Sequence, residues 1–251
     1  MTLDGIEQIE KPEPLKYVIF RKIKDAIVFN HLEQGEVLNE RELAELFEVS
    51  RTPVRQALEL LLMDGWVFRK GKSLFVNYLF YEVFEEMLPV RLDTEKLAMR
   101  LALPRITGGH LAIMERRLDG IHRHAVAIQD RNSERDKRNF LAAEKQFHLH
   151  FAEISENRHL YDVLNGYMEL FLKFGMISLK FRDDSIVTHE ELTRIYQSIR
   201  DRDLERACHV LEQQIQRGQE QAATCLQRES EYPWTASVIT ASSIGLSRSA
   251  P

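Results

Sequence analysis

Residues 50–61 read SRTPVRQALELL and place a serine, a threonine, a glutamine and two arginines on the first turns of one predicted helix. At about 100° per residue, Arg51, Thr52, Arg55 and Gln56 fall on one side, and Val54, Ala57, Leu58 and Leu61 on the other. A helix anchored by an apolar back, with guanidinium and amide groups in front, has the chemistry to read base edges in a major groove. Arginine forks also bond phosphate, and the helix start adds backbone donors and positive potential. Further on, Arg69-Lys70-Gly71-Lys72 gathers cations around a glycine that permits close approach to a DNA backbone or minor groove. A second grouping sits far along the chain. Glu144 and His148 stand at i and i+4 on one predicted helix face, beside Phe140, Phe147 and Phe151. Such a pair can ligate a metal, move a proton or hold a polar ligand.

A formal net charge of -5 looks wrong for an anionic partner, but the charge is arranged. Residues 33–48 carry six acids and one base, Arg41, whereas residues 51–72 carry five bases against Glu59 and Asp64. The sign flips where the SRTPVRQ helix begins. A charged face on a lone surface helix is most often only solvated. Its neighbours decide the matter here.

Those neighbours are legible. Val18, Ile19, Ile23, Ala26 and Ile27 recur at helical spacing over 17–30. A second helix is predicted over 40–47 with Asn39 as its cap, and a third after Ser50, another cap, with Pro53 tolerated in its first turn. Two β-prone runs, 66–68 and 74–76, flank the Gly71 connection and read as a hairpin. Helix, helix, arginine-bearing helix and basic hairpin make a winged helix-turn-helix.

From Tyr81 on, six helical segments are predicted, at 81–103, 109–130, 134–156, 159–181, 188–201 and 203–226. Thr188-His189-Glu190-Glu191 reads as a capping box that starts the fifth, and Pro89 is expected to kink or split the first. Short connections between long helices imply an antiparallel bundle. The fold class is therefore mostly α, a winged helix-turn-helix followed by an all-helical bundle. Its divisions are a flexible arm at 1–14, a DNA-binding domain at 15–78, an effector-binding and dimerisation domain at 81–226, and a disordered serine- and alanine-rich tail at 229–251.

No apolar run approaches the roughly 20 residues of a membrane span, and the acidic start MTLDGIEQIEKPEP is no signal peptide. Cys208 and Cys225 have no metal-ligand spacing and read as thiols of a cytoplasmic protein.

The segment ERELAELFEVSRTPVRQALELLLMDGWVFRKGKSLFV resembles the N-terminal domain of the GntR family of bacterial transcription regulators. PVRLDTEKLAMRLAL, EKQFHLHFAEISENRHL and THEELTRIYQSIRDRDLERA resemble the helical effector domain of its FadR subgroup, called FCD. Together the resemblance spans about residues 15–226. It implies DNA contacts from Arg41, Ser50, Arg51, Thr52, Arg55 and Gly71, with Lys70 and Lys72 flanking the glycine. It also implies a homodimer on a palindromic operator, whose half-sites lie about one helical turn apart.

Many FCD domains bind a divalent metal through an aspartate, a histidine four residues later, and two further histidines. The matching positions here are Glu144, His148, Leu192 and Gln214, and only His148 keeps its residue. Leucine cannot ligate, so the resemblance implies a metal-free polar pocket, with a metal-dependent one as the alternative. Arg91 matches a family arginine that faces the pocket and can pair a carboxylate or phosphate. The competing roles are a salt bridge from Arg91 to Glu95 or Glu144, and an interior hydrogen-bonded His148. The expected function is regulation of transcription, with operator affinity set by a small anionic metabolite bound around Arg91, Glu144, His148 and Gln214. An enzyme using Glu144 and His148 as base and partner lacks a nucleophile elbow or a glycine-rich phosphate loop. A bundle that only dimerises is the third reading.

Overall fold

The computed structural model describes residues 13–78, 81–181 and 183–230. The chain divides between residues 79 and 80 into two compact units. The expected arm at 1–14 and the tail at 229–251 lie outside the described residues, except for residues 13–14 and for 229–230, which close the last helix.

In the first unit, Ile19, Ile23 and Ile27 repeat every four residues along α1 (Leu15–Val28) and are buried. They share a core with Leu43 and Ala44 of α2 (Glu40–Leu46) and with Val54, Ala57, Leu58 and Leu61 of α3 (Arg51–Met63). Truncating a side chain as buried as Leu61 costs about 2–5 kcal/mol. Asn39 caps α2, its side chain accepting from the Arg41 amide at 2.9 Å. Ser50 does not cap α3 as expected. Its backbone is extended but its hydroxyl makes no capping hydrogen bond, which leaves the first-turn amides without a side-chain acceptor. The hairpin pairs β2 (Val67–Lys70) with β3 (Ser73–Val76), Lys70 opposite Ser73. Gly71 opens its two-residue turn at φ +62°, the conformation such turns demand. One strand had no sequence signal. β1 (Val37–Leu38) pairs antiparallel with β3 and completes a sheet of order β1-β3-β2. Two residues are too few for a period-2 pattern to register.

The second unit is α4 (Tyr81–Ala102), a 3₁₀ turn, α5 (Gly108–Arg131), α6 (Glu134–Ile154), α7 (Arg158–Phe181), α8 (Ser185–Arg200) and α9 (Leu204–Ser230). Thr107 caps α5 and Asn132 ends it in a left-handed turn at φ 49°. Ser133 then caps α6 by accepting from the Asp136 amide. α6 packs against α4, α5 and α7, and α9 against α4, α7 and α8. Of the two outcomes expected at Pro89, a split is excluded: α4 runs unbroken through it, with Leu88 before it and Ala98, Met99 and Ala102 after it all buried and holding both halves. One expectation is corrected. The Thr188 box does not start α8, which begins at Ser185 with Asp183 accepting from the Ser185 amide at 3.0 Å. Thr188 is instead buried within the helix, its hydroxyl accepting from Arg217. No helix among the described residues is long and apolar enough to cross a membrane.

Candidate nucleic-acid interface and a polar cavity

The back of α3 is sealed, with Val54, Ala57 and Leu61 fully buried, while Arg51, Thr52, Arg55 and Gln56 are exposed. Arg41, Ser50, Lys70, Gly71 and Lys72 are exposed as well. The cations differ in what they already hold. Arg55 forks onto Glu40 of α2, Nε donating at 3.1 Å and Nη2 at 2.8 Å. Arg41 bonds Glu45 at 2.8 Å, and Arg69 bonds Glu59 at 2.6 Å. Arg51, Lys70 and Lys72 hold no acid among the described residues. Acids of residues 33–59 thus neutralise part of the base cluster. Arg55 is thus a fork resting on a half-buried glutamate.

In the second unit a cavity of about 130 Å³ opens between α4, α6, α7, α8 and α9. All four residues expected around an effector line it: Arg91, Glu144, His148 and Gln214. Arg91 is buried, and its Nε donates to Glu95 Oε1 at 2.6 Å while its guanidinium lies 4.2 Å from the centre of the Phe171 ring. Of the two acids weighed as its partner, Glu95 takes the bond. The other Glu95 oxygen meets His148 Nδ1 at 2.5 Å. Burial alone would raise the Glu95 carboxyl, but the charges and hydrogen bonds of His148 and Arg91 prevail and hold it at about 2. Glu95 is therefore a carboxylate, an acceptor only, so His148 donates from Nδ1. This leaves His148 Nε2 buried with no partner, as is Gln214 Oε1. Gln214 Nε2 donates to Glu144 Oε1 at 3.3 Å. Glu144 goes the other way from Glu95. Desolvation pushes its carboxyl up against the more distant charges of His148, Arg91 and Arg217.

Sequence reasoning missed the far wall. Arg217 of α9 donates to both Glu191 oxygens, at 2.8 Å and 2.5 Å, and to Thr188 at 3.0 Å. Lys145 bonds Glu169, and Phe84 packs on Phe171 and Phe174 with ring centres 4.9 Å and 4.0 Å apart. Glu95 was one of the two partners the sequence offered Arg91, four residues after it on one helix face. Nothing local could reveal Arg217, whose partner is 26 residues away.

Residues 86–217, just over half of the chain, match the model of the FCD domain, and residues 15–76 match that of the bacterial regulatory proteins, gntR family. The chain belongs to the GntR family. It is a DNA-binding transcriptional regulator of the GntR/FCD type. It is 27% identical over 208 residues to the uncharacterized HTH-type transcriptional regulator YdhC of Bacillus subtilis, covering 81% of this chain and 89% of that one. It is 23% identical to the HTH-type transcriptional repressor RspR of Escherichia coli, over 90% of this chain and 96% of the other. The fold is that of Escherichia coli McbR/YncC, with a TM-score of 0.70 at 18% identity over 86% of this chain and 98% of that one. It is also that of a GntR regulator from Rhodococcus, with a TM-score of 0.65 at 18% identity over 83% and 97%.

The GntR/FCD pattern of metal ligands fits poorly here. Leu192, in the third ligand position, is fully buried in the apolar core, and the fourth position presents the amide of Gln214. One imidazole, one carboxyl and one amide are a weak donor set for zinc-like ions. His189, one turn before Leu192, lies beside His122 with ring centres 4.7 Å apart. It is not among the residues around the cavity.

Proposed function

We propose that this GntR regulator binds a palindromic operator as a homodimer, α3 of each copy entering a major groove and the β2–β3 turn following the adjacent backbone. In this reading Arg51 and Arg55 reach base edges or phosphates, Thr52 and Ser50 reach phosphates, Arg41 flanks them from α2, and Lys70, Gly71 and Lys72 touch the wing-side backbone. The observation that carries it is the exposed, arginine-bearing front of α3 over a wholly buried apolar back. The uncapped first-turn amides add donors for a phosphate.

The cavity supports a second half to the proposal: a small polar molecule bound among Arg91, Glu144, His148 and Gln214 changes operator affinity. A cavity with two buried polar atoms lacking partners favours this over a bundle that only dimerises. The expected anion has to compete with Glu95 for Arg91, since that guanidinium is already engaged.

Selection of random duplexes by the purified full chain tests the first half. An inverted repeat is the expected product, and recovery of no motif above background sinks the operator reading. For the second half, the small-molecule fraction of a host extract is titrated into operator complexes of the wild type and of Ser178→Trp, which fills the cavity. A shifted midpoint in the wild type alone is expected. Equal responses remove the cavity from the mechanism.

A further inference from the structure

Resting on the cavity as the effector site, we propose that its ligand is a small protonated amine, received by the Glu144 carboxylate and Gln214 Oε1. Two side chains on this wall have acceptor capacity to spare. Glu144 has no ion-pair partner among the described residues, and its one hydrogen bond comes from Gln214 Nε2 at 3.3 Å. That bond turns the amide so that Gln214 Oε1 is buried without a donor. An alkylammonium carries three N–H donors and no acceptor.

Charge points the same way. The nearby cations are engaged: Arg91 with Glu95, Arg217 with Glu191, Lys145 with Glu169. The charged residues lining the cavity are Arg91, Lys145, Arg217, Asp184 and Glu144. Counted with Glu95, Glu169 and Glu191, which hold the three cations from outside the lining, there are five carboxyls to three Arg and Lys cations. Glu144 is the lining charge without an ion-pair partner among the described residues. An incoming carboxylate enters an acid-rich site, whereas an incoming cation balances it and removes the cost that burial imposes on Glu144. Phe84, Leu88, Met168 and Phe171 supply the apolar and aromatic remainder, surroundings that favour an organic ammonium. At about 130 Å³ the space is slightly smaller than a cavity of about 150 Å³ that takes up benzene, a size that suits a small organic amine.

Calorimetric titration of the full chain with butylamine, butyrate and butanol decides the class. Butylamine is expected to bind at least tenfold more tightly than either of the others. Glu144→Gln and, separately, Gln214→Leu are expected to weaken it by at least tenfold, with thermal melting confirming that each variant is folded. Tighter binding of butyrate, or equal binding of butanol, overturns the amine and leaves the effector cavity standing. Absence of binding by all three probes also overturns it, and the Ser178→Trp operator titration then decides the cavity's role by itself.

Discussion

Arg55 and Arg91 both grip a glutamate, Glu40 at 2.8 Å and Glu95 at 2.6 Å, in opposite surroundings. The Arg55 side chain is 67% exposed and that of Arg91 only 11%. In water a guanidinium exchanges its glutamate for another acceptor at little cost, because solvent screens the pair and hydrates both fragments. In the bundle interior the same exchange strands a charge without water. The front of α3 is thus built to change partners, and the Arg91–Glu95–His148 chain to keep them. In the proposed reading DNA takes Arg55 from Glu40, whereas an effector adds to the buried network and leaves it whole.

The largest effect should come from breaking the kept network. Glu95→Ala strands Arg91 and His148 and is expected to cost about 3–5 kcal/mol in urea denaturation. The Glu95 carboxyl is depressed from 4.5 to about 2, so its contribution is complete above about pH 4.5 and is lost as pH falls towards 2. Glu95→Gln should flatten the acid limb of stability against pH over that window, and an unchanged limb would contradict the pairing. Next comes the exchanging surface. Arg51→Ala is expected to weaken operator binding by about 1–3 kcal/mol and relax specificity at one base position, in gel shifts at fixed salt. Lys70→Ala and Lys72→Ala should each lower the slope of log affinity against log salt by about one and leave sequence preference alone. A preference change on losing either lysine would place the wing on bases instead.

Smaller effects sharpen the contrast. Glu144→Gln removes a carboxyl that burial disfavours, opposite in sign to Glu95, and should raise the melting temperature at pH 7 by about 2–4 °C. A fall in melting temperature would mean that Glu144 is held by a partner. Smallest of all, Glu40→Gln should leave melting unchanged while raising operator affinity slightly, since Arg55 is released in advance. Weaker operator binding would show that Glu40 positions Arg55 for DNA.

Much of the first unit was legible. The two faces of α3 follow from a period of 3.6 residues, and the hairpin from a glycine between two β-prone runs. What failed there was one capping expectation. Ser50 has the residue type of a cap but its hydroxyl does not fold back onto the helix. The cavity was half legible. Arg91, Glu144, His148 and Gln214 were found as positions, but Arg91's choice of Glu95 over Glu144 was left open, and Thr188 was assigned to a helix start when it serves Arg217.

The sequence alone determined whatever depends on neighbours within a turn or two: which side of each helix is apolar, where Asn39 ends a loop, and how cations collect after residue 50. Backbone periodicity converts that spacing directly into geometry. Only the tertiary structure decided how α4, α6, α8 and α9 converge. That convergence sets Glu95 against His148 across 53 residues, Gln214 against Glu144 across 70, and Arg217 against Glu191 across 26. Those contacts depend on how whole helices pack, and packing also sets which of them lie out of reach of water. Burial then separates two glutamates of one site, Glu95 held ionised by its partners and Glu144 pushed towards its neutral form.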